Sequence, residues 1–403
     1  MDTNVKEIIE SYDSKRQLAT ASTPPSSWYT DPSILELERQ AVFSRAWQVV
    51  GRSDQVREAG QYITHEVAGE PILVIRGNDS VMRGFFNVCR HHAAAVMTKP
   101  EGKTENLRCP YHGWTYDLEG KLILTPEFAG VANFDRSANG LVPVQTAEWQ
   151  GWVFVNLDSG GPTLEEFLGA DLIERFEPLP SRNSGPDTFG KLSVTLSPLM
   201  GEPVEGNLEQ YSWFERRSYF LNCNWKVFVD NFLDGGYHVP HIHGGLSSVL
   251  DNSKYKIETG KRFCLQSSPI ASEKGEAKTA AVRKGEHANY LWIYPNFMIN
   301  IYDEVMDTNL VIPRGGDKTE VIFDYYFADV SDSAREKNLA SIAVSEQIQA
   351  EDVAICQSVQ RGLNSRVYNN GRLSVRREAG EHLFHRLLHA DLSAGLREQH
   401  DAE

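Results

Sequence analysis

The sequence lacks features that would assign it to several large classes of protein. No apolar run in its 403 residues approaches the length of a membrane-spanning helix, so we expect no membrane segment. Lys and Arg number 40 against 55 Asp and Glu, and the resulting net charge of -15 disfavours a nucleic-acid partner. The glycine-rich fingerprints of nicotinamide and flavin binding are also missing. Any redox chemistry of this chain is therefore expected to depend on a separate electron donor.

Cysteine is scarce, and its count is odd. Of the five cysteines, Cys223, Cys264 and Cys356 have no partner at a recognisable spacing. A disulfide framework is therefore not expected, and these three are best interpreted as small buried hydrophobic residues. The first seventeen residues contain four acidic ones and resemble neither a secretory signal nor a transit peptide, so we expect a cytoplasmic location.

The length and the residue pattern predict an α+β protein of more than one domain. Hydrophobic residues make up 41% and charged residues 24%, the balance of a globular chain. Short β-branched and aromatic runs between turn residues predict a small antiparallel β domain over residues 47–160. A helical lead-in over residues 1–46 precedes it, and residues 161–403 form a second, larger domain with strands and a long helix from about Ser331 to Leu363.

The most informative residues lie in two short segments of the predicted β domain. Each segment offers one Cys and one His: Cys89 with His91, and Cys109 with His112 in the run CPYHGW. Two thiolates for one iron and two imidazoles for the other are the ligands of a Rieske [2Fe-2S] cluster, in which imidazole raises the reduction potential. A zinc site also uses two Cys and two His, and it is the alternative reading.

A second ligand set follows in the segment NWKVFVDNFLDGGYHVPHIH. His238 and His243 are spaced so that both imidazoles can face one metal. A carboxylate would complete the two-histidine, one-carboxylate group that binds non-haem Fe(II) and leaves positions open. Asp352 is the candidate, because apolar residues around it recur at helical spacing. Its neighbour Glu351 would point about 100° away from it. Ordinary buried histidines and a solvated acidic helix face are the alternatives.

The chain resembles the oxygenase component of the Rieske non-haem iron oxygenases. The resemblance extends from about Trp47 to Leu392 and includes both ligand sets, CNWKVFVDNFLDGGYHVP, YPNFMIN, MDTNLVIP and EDVAICQSVQRGL. Within that family it is similar to the choline monooxygenases.

The resemblance implies an all-β Rieske domain and a helix-grip catalytic domain, an antiparallel sheet crossed by a long C-terminal helix. It implies a [2Fe-2S] cluster and mononuclear Fe(II), with O2 and choline as substrates and betaine aldehyde hydrate as product. Electrons would come from a ferredoxin or a flavin reductase, and a homotrimer is expected. A plant member without its transit peptide would lie in the chloroplast stroma.

Two further residues follow from the resemblance. Many members carry an acid three residues before the first iron-binding His, and it links that His to the cluster of a neighbouring subunit. This chain has Gly235 there, and Asp234 or another acid such as Glu346 would have to serve. Asn231 matches a family asparagine close to the iron. The alternatives are that Asp234 is a turn residue and that Asn231 is a polar helix residue that bonds to backbone groups.

A quaternary ammonium group cannot donate a hydrogen bond, so aromatic faces and negative charge must hold it. Alternating aromatic residues in YLWIYPNFMINIY predict a cage, for which Trp292, Tyr294 and Phe297 are the first candidates. The same residues could simply fill a core. The sequence also leaves open a betaine N-demethylase, a carnitine oxygenase, an arene dihydroxylase and a non-enzymatic electron carrier.

Overall fold

The computed structural model describes residues 3–176, 194–195, 205–206, 208, 211–271 and 277–401. The chain divides into two compact units. The β unit comprises Arg39–Phe167, and the α+β unit comprises Met1–Glu38 with Leu168–Glu403. The β unit thus begins before residue 47 and ends after residue 160, the boundaries that the sequence predicts.

The β unit is built from ten strands in two antiparallel sheets. The strands are β1 (Gln48–Arg52), β2 (Gln61–Val67), β3 (Glu70–Arg76), β4 (Met82–Phe86), β5 (Glu101–Lys103), β6 (Leu107–Arg108), β7 (Thr115–Tyr116), β8 (Leu122–Leu124), β9 (Pro143–Trp149) and β10 (Trp152–Asn156). The larger sheet has the order β1-β10-β9-β4-β3-β2-β5, and the smaller one has the order β6-β7-β8. A π-helical turn (Arg39–Phe43), two 3-10 turns (Ser53–Val56 and Ser137–Asn139) and α4 (Leu164–Leu168) complete the unit.

Two apolar clusters hold this unit together. One is rich in Val and Ile from the alternating positions of β2, β3 and β10, as expected for strands with one buried face. The other contains Cys89, Cys109 and Trp114 beside Tyr116, so the two Cys-bearing loops are anchored in a core of their own. Both loops are therefore fixed by packing at their Cys ends.

The α+β unit contains a seven-stranded antiparallel sheet in the order β13-β19-β18-β17-β16-β15-β14. Its strands are β13 (Ser212–Leu221), β14 (Lys256–Thr259), β15 (Phe263–Pro269), β16 (His287–Ile293), β17 (Phe297–Ile301), β18 (Val305–Gly315) and β19 (Lys318–Phe327). A separate pair is formed by β11 (Val194–Thr195) and β12 (Glu205–Gly206).

Helices accompany this sheet. They are α1 (Thr3–Glu10), α2 (Ser27–Thr30), α3 (Pro32–Glu38), α5 (Ala170–Phe176), α6 (Trp225–Leu233), α7 (Val239–Ile242), α8 (Gly244–Val249), α9 (Ala277–Val282), α10 (Arg335–Leu363) and α11 (Ala379–Asp401), with 3-10 turns at Leu18–Thr20 and Asn252–Lys254. Helix α10 contacts α6 and α9, and α11 contacts α6 and β14. The predicted α+β class, with a β domain and an antiparallel sheet crossed by a long helix, is confirmed.

Two expectations from the sequence were incomplete. Helix α11 was not predicted, although Phe384, Leu388 and Leu392 recur every fourth residue and are fully buried. The segment from Glu273 to His287 is charged and poor in large apolar residues, which predicts a mobile loop near the pocket entrance or a surface excursion. Its described part, from Ala277 onward, instead contains α9 and the buried Arg283.

Buried polar contacts fix α6, the helix that leads to the candidate iron ligands. Lys226 Nζ lies 2.6 Å from Glu38 Oε1, and Trp225 Nε1 donates to the other oxygen of that carboxylate, 2.8 Å away. One turn later Asp230 accepts from Tyr29 Oη at 2.7 Å and from His385 Nε2 at 2.9 Å. The lead-in and α11 therefore hold α6 from two sides.

Within the described residues no helix is long and apolar enough to cross a membrane.

Candidate metal centres

The Cys and His residues of the β unit lie on two tight loops of similar shape. In the first loop, Cys89 N–H donates to the Ala94 carbonyl at 2.9 Å, and in the second Cys109 N–H donates to the Trp114 carbonyl at 2.8 Å. Gly113 closes the second loop with a φ of 72°, a conformation that glycine adopts without strain. Each loop thus turns within a few residues and presents its Cys and its His together.

The four side chains form a mixed sulfur and nitrogen donor set. The thiols of Cys89 and Cys109 are buried, and the rings of His91 and His112 lie 4.8 Å apart nearer the surface. His91 Nδ1 is buried and has no hydrogen-bond partner among the described residues. Burial raises the pKa of the Cys109 thiol, so a bound cation is what would keep this sulfur as thiolate. The residues fit a Rieske cluster with sulfur inside and imidazole outside.

The candidate iron ligands of the α+β unit come from two elements. Helix α6 ends at Leu233. His238 directly precedes α7 and His243 directly follows it, while Asp352 lies on α10. Asp352 Oδ1 is 3.0 Å from His243 Nε2 and 3.9 Å from His238 Nε2. One nitrogen from each imidazole and one carboxylate oxygen therefore converge, all within 4.8 Å of one another. The sequence-predicted group of three is brought together.

Carboxylates behind the two imidazoles fix their orientation. His238 Nδ1 donates to Asp234 Oδ2 at 2.6 Å, and His243 Nδ1 donates to Glu351 Oε2 at 2.7 Å. Each Nε2 therefore faces Asp352 at the centre of the group, and a carboxylate behind a ligating imidazole raises its basicity. Asp352 is oriented in turn by Asn231 Nδ2, 2.9 Å from its Oδ1. The donor set fits a divalent iron.

The charges around His243 favour a cation at the candidate iron site. Burial by itself lowers the pKa of this imidazole, but the hydrogen bonds and charges of Asp352 and Glu351 outweigh it, and the net pKa lies above its usual value. Two carboxylates therefore favour positive charge at His243. A bound divalent metal would supply that charge.

Glu351 is a functional candidate that the sequence analysis did not find. It was expected to point away from the metal because it lies about 100° around the helix from Asp352. That rotation places it beside the metal face, from which its carboxylate reaches the outer nitrogen of His243. The signal available in the sequence was only its adjacency to Asp352.

Gly235 explains why the acid of the family pattern is shifted in this chain. Its φ is 67°, and a Cβ at this position would come within 2.1 Å of the Arg377 carbonyl oxygen. Any side chain at position 235 would be strained and would clash with backbone. Asp234, one residue earlier, instead accepts hydrogen bonds from the imidazole and the backbone N–H of His238. Glu346, the other acid considered, accepts from Arg217.

A cavity of about 110 Å³ adjoins the three candidate iron ligands. Aromatic side chains form much of its wall: Phe228, Phe232, Tyr255, Tyr290, Tyr302 and Phe323. Polar and charged groups are present too: Asn231, Arg283, Asn300, Asp307, Asn309, Ser345 and Gln349. Burial raises the pKa of Asp307, while the charge of Arg283 and two asparagine hydrogen bonds oppose that rise.

The structure places the residues predicted for the aromatic cage outside the wall of this cavity. Trp292, Tyr294 and Phe297 are not among the described residues that line the cavity. Trp292 packs with its ring 5.6 Å from Phe384 of α11, and Tyr294 donates to Asp391 of the same helix at 2.8 Å. Helix α11 covers this end of the strand, so of Tyr290, Trp292 and Tyr294 Tyr290 alone lines the cavity, together with Tyr302 at the end of the same run. The core interpretation holds for the other two.

Replacing the carboxylates behind the imidazoles should weaken the iron site without abolishing it. For Asp234→Asn and for Glu351→Gln we expect iron affinity or activity to fall about 10- to 100-fold, because each change removes the charge that orients and activates one imidazole. Titration of the apoprotein with Fe(II) measures the affinity. Glu346→Gln, a helix acid paired with Arg217, is the matched control. Unchanged affinity in both variants would contradict the assigned roles.

Comparison with known proteins agrees with both centres. Residues 46–135 match the Rieske [2Fe-2S] domain, and residues 208–394 match the catalytic domain of the ring hydroxylating alpha subunit. Choline monooxygenase from Arabidopsis thaliana is 39% identical over 393 residues, which are 96% of this chain and 87% of that protein. The carnitine monooxygenase oxygenase subunit of Escherichia coli K12 is 30% identical over 362 residues, 88% of this chain and 87% of that one.

A solved structure shares the fold. A quaternary ammonium Rieske monooxygenase superposes with a TM-score of 0.76 at 26% identity, over 96% of this chain and 98% of that one.

Two loops with Cys and His in one unit, and a two-histidine, one-carboxylate group in the other, define an iron-dependent redox enzyme. The chain belongs to the Rieske-type monooxygenases of the ring-hydroxylating alpha-subunit family. Its cofactors are accordingly a Rieske [2Fe-2S] cluster and mononuclear iron. The family assignment argues against the zinc site and the non-enzymatic electron carrier that the sequence leaves open.

Proposed function

We propose that this protein hydroxylates choline at the carbon that bears its hydroxyl group, which is the first step of glycine betaine synthesis. Choline, O2, two electrons and two protons give betaine aldehyde hydrate and one water. The observation that carries the proposal is the aromatic cavity with a buried carboxylate beside the His238, His243 and Asp352 group. The similarity to choline monooxygenases over nearly the whole chain supports it.

The metal ligands are part of this proposal. Cys89, His91, Cys109 and His112 would hold the cluster, and His238, His243 and Asp352 would hold the mononuclear iron. When bound, these groups supply electron transfer and the activation of O2. Asp234 and Glu351 hold the two imidazoles by their outer nitrogens, so that the inner nitrogens face Asp352. Asn231 fixes the carboxylate of Asp352.

The cavity wall suits a trimethylammonium group. Tyr255, Tyr290 and Tyr302 contribute aromatic rings to the wall, and Tyr290 and Tyr302 are held together by a 3.2 Å contact between their hydroxyls. Asp307 supplies negative charge, and it is kept in place by Asn300 and Asn309. A desolvated cation over such rings is stabilised by about 2 kcal/mol. The same polar wall makes an arene substrate unfavourable.

The electron supply is external in this proposal. A ferredoxin or a flavin reductase would reduce the cluster, and electrons would pass between subunits of a homotrimer to the iron. Asp234 would then link His238 to the cluster of the next subunit. The 16% exposure of the Asp234 side chain leaves it accessible for that role. A cytoplasmic location, or the chloroplast stroma for a plant protein, is part of the same proposal.

The test is turnover of choline by purified, iron-replete protein with ferredoxin, its reductase, NADPH and O2. We expect betaine aldehyde by mass spectrometry, with one oxygen atom from ¹⁸O2, and a kcat/KM at least about tenfold above that for the neutral isostere 3,3-dimethylbutan-1-ol. Equal turnover of the two alcohols would overturn the proposed recognition. No product, despite a reduced cluster and bound iron, would overturn choline as the substrate.

A pair of tyrosine variants tests the corrected cage. Tyr290→Leu should lower the kcat/KM for choline about tenfold by removing one aromatic face from the cavity. Tyr294→Leu is the matched control, because Tyr294 is buried under α11 and outside the cavity wall. The control can lower the melting temperature, but its folded fraction should keep the wild-type KM. A larger rise in KM for Tyr294→Leu than for Tyr290→Leu would support the cage that the sequence predicts.

A further inference from the structure

A second group of metal-ligating side chains lies in the α+β unit, apart from the candidate iron ligands. Its members are Asp230 of α6 with Glu381 and His385 of α11, and one donor atom of each lies within 4.8 Å of the other two. Glu381 and His385 are four residues apart on one helix, so their side chains share a face. That face meets α6, where Asp230 completes the group.

The spacing of these donors suits a small divalent ion. His385 Nε2 lies 2.9 Å from Asp230 Oδ1 and 3.9 Å from Glu381 Oε1. Ligands bonded to zinc at about 2.1 Å lie about 3.4 Å apart in a tetrahedron, and both observed distances are within about 0.5 Å of that separation. The candidate iron group of the same chain has almost the same spacing, with 3.0 Å and 3.9 Å between its corresponding atoms.

The surroundings provide a fourth ligand atom and room for water. Tyr29 Oη lies 2.7 Å from Asp230 Oδ2 and 3.3 Å from His385 Nε2. A cavity of about 200 Å³ adjoins Asp230 and Glu381. One water occupies roughly 30 Å³, so this cavity has room for an ion and several waters. Tyr368 lines the same cavity and is 40% exposed, which gives an ion a path from solvent.

Glu381 is the side chain that most clearly needs a ligand. The residue is 8% exposed, and its partner among the described residues is His385 Nε2, which at 3.9 Å lies beyond hydrogen-bond distance. Burial raises the pKa of the Glu381 carboxyl well above its usual value, and the charges of Asp230, Glu378 and Asp234 add to the rise. A buried carboxylate beside other carboxylates is stabilised by a cation.

A protonated His385 does not complete the group by itself. As an imidazolium it reaches Asp230 but leaves Glu381 without a hydrogen bond. An ion with bonds of about 2.0–2.2 Å contacts both carboxylates and the imidazole at once. The buried hydroxyl of Tyr12, whose ring centroid lies 6.4 Å from that of His385, also lacks a partner among the described residues. Buried polar atoms of this kind are normally satisfied by an ion or by ordered water.

We propose that Asp230, Glu381 and His385 bind one divalent transition-metal ion of the zinc class. Tyr29 Oη or a water takes the fourth position. Two carboxylates and a neutral imidazole carry two negative charges, which balance a divalent cation. The imidazole favours zinc over calcium and magnesium, which take oxygen ligands. This site is separate from the cluster and from the mononuclear iron, and it does not depend on the identity of the substrate.

The proposed ion holds three segments of the chain at one point. Tyr29 belongs to α2 in the lead-in, Asp230 to α6, and the other two ligands to α11. The residue that follows Asp230 on α6 is Asn231, which orients Asp352. The ion therefore braces the helix from which the mononuclear iron site is positioned, and its role is structural.

The experiment is zinc loading of the purified, iron-replete protein. The protein is incubated with a small excess of Zn(II), desalted, and analysed for zinc and iron. We expect about one zinc per chain in addition to about three irons. X-ray absorption at the zinc edge should show nitrogen and oxygen ligands at about 2.0–2.2 Å and no sulfur at about 2.3 Å. Bound zinc should also raise the melting temperature by about 2 °C or more.

Two glutamine variants separate this site from general acidity. Glu381→Gln keeps the shape of the side chain and removes its charge. We expect it to weaken zinc binding more than about a hundredfold, measured against a chelating indicator, and to keep all three irons. Glu378→Gln is the matched control, because Glu378 accepts from the backbone N–H of Ser374 and is not one of the three donors. It should weaken zinc binding less than about tenfold, since its charge acts only through space.

Several results would overturn the proposal. Zinc that binds with the loss of one iron per chain occupies the mononuclear iron site, and zinc with sulfur neighbours occupies the cluster loops. No retained zinc, displacement of zinc by a large excess of Ca(II), or equal losses in the two glutamine variants would show a metal-free polar group. If Glu381→Gln does not fold, the zinc and iron contents and the zinc-edge spectrum of the wild type decide. Turnover of choline plays no part in these measurements, so the proposed function stands or falls separately.

Discussion

Replacing Asp352 with alanine is expected to remove the mononuclear iron and leave the cluster intact. Iron content should fall from about three atoms per chain to about two, because a [2Fe-2S] cluster accounts for two of them. Removal of a residue that only orients a ligand typically costs 10- to 100-fold, so we expect loss of the carboxylate ligand itself to lower turnover by more than about a hundredfold. Iron analysis and O2 uptake measure the two effects.

The control for this variant is a change of an exposed acid just before the same helix. Asp332→Ala lies outside α10 and should keep both iron and activity. The visible spectrum of the cluster must be unchanged in Asp352→Ala, since the Cys and His loops belong to the other unit. Retention of about three irons with full turnover would show that Asp352 is not a ligand.

Replacing Cys109 with serine is expected to have the complementary effect. Its thiol is 2% exposed and lies in the apolar cluster with Cys89 and Trp114, where a hydroxyl is a poor ligand for an iron-sulfur cluster. We expect the visible absorption to disappear, iron to fall to about one atom per chain, and electron-dependent turnover to be lost. Fe(II) binding to the α+β unit should persist.

Cys264→Ser is the matched control for that experiment. Cys264 is also fully buried, but it lies on β15 in the α+β unit. The control should retain cluster absorption, with at most a moderate loss of thermal stability. A Cys109→Ser protein that keeps the absorption and the charge-transfer bands of a Rieske cluster would contradict the assignment of the ligands.

The two variants together divide the metal content between the two units. Each one removes a different fraction of the iron and abolishes turnover, although the other centre remains loaded. Turnover that survives the loss of either centre would be incompatible with a chain in which one centre supplies electrons to the other.

The sequence by itself singled out the candidate ligands of the two metal centres, because their geometry is local. Cys89 and His91 share one tight loop and Cys109 and His112 another, and His238 and His243 are separated only by the single turn of α7. Short spacing restricts the relative positions of such side chains whatever the rest of the chain does. Prediction of Asp352 as the third ligand required more, namely a helical pattern together with a family resemblance.

Tertiary structure decided what surrounds these centres. Tyr290 and Trp292 alternate on one strand and look alike in sequence, but α11 covers one of them and leaves the other in the cavity. Arg283 reaches Ser341 and Ser345 from a segment whose composition predicts a loop near the pocket entrance or a surface excursion. The pair Glu38 and Lys226 joins residues far apart in the chain in a site with almost no solvent exposure. Such contacts depend on how distant elements pack, and no local pattern encodes that packing.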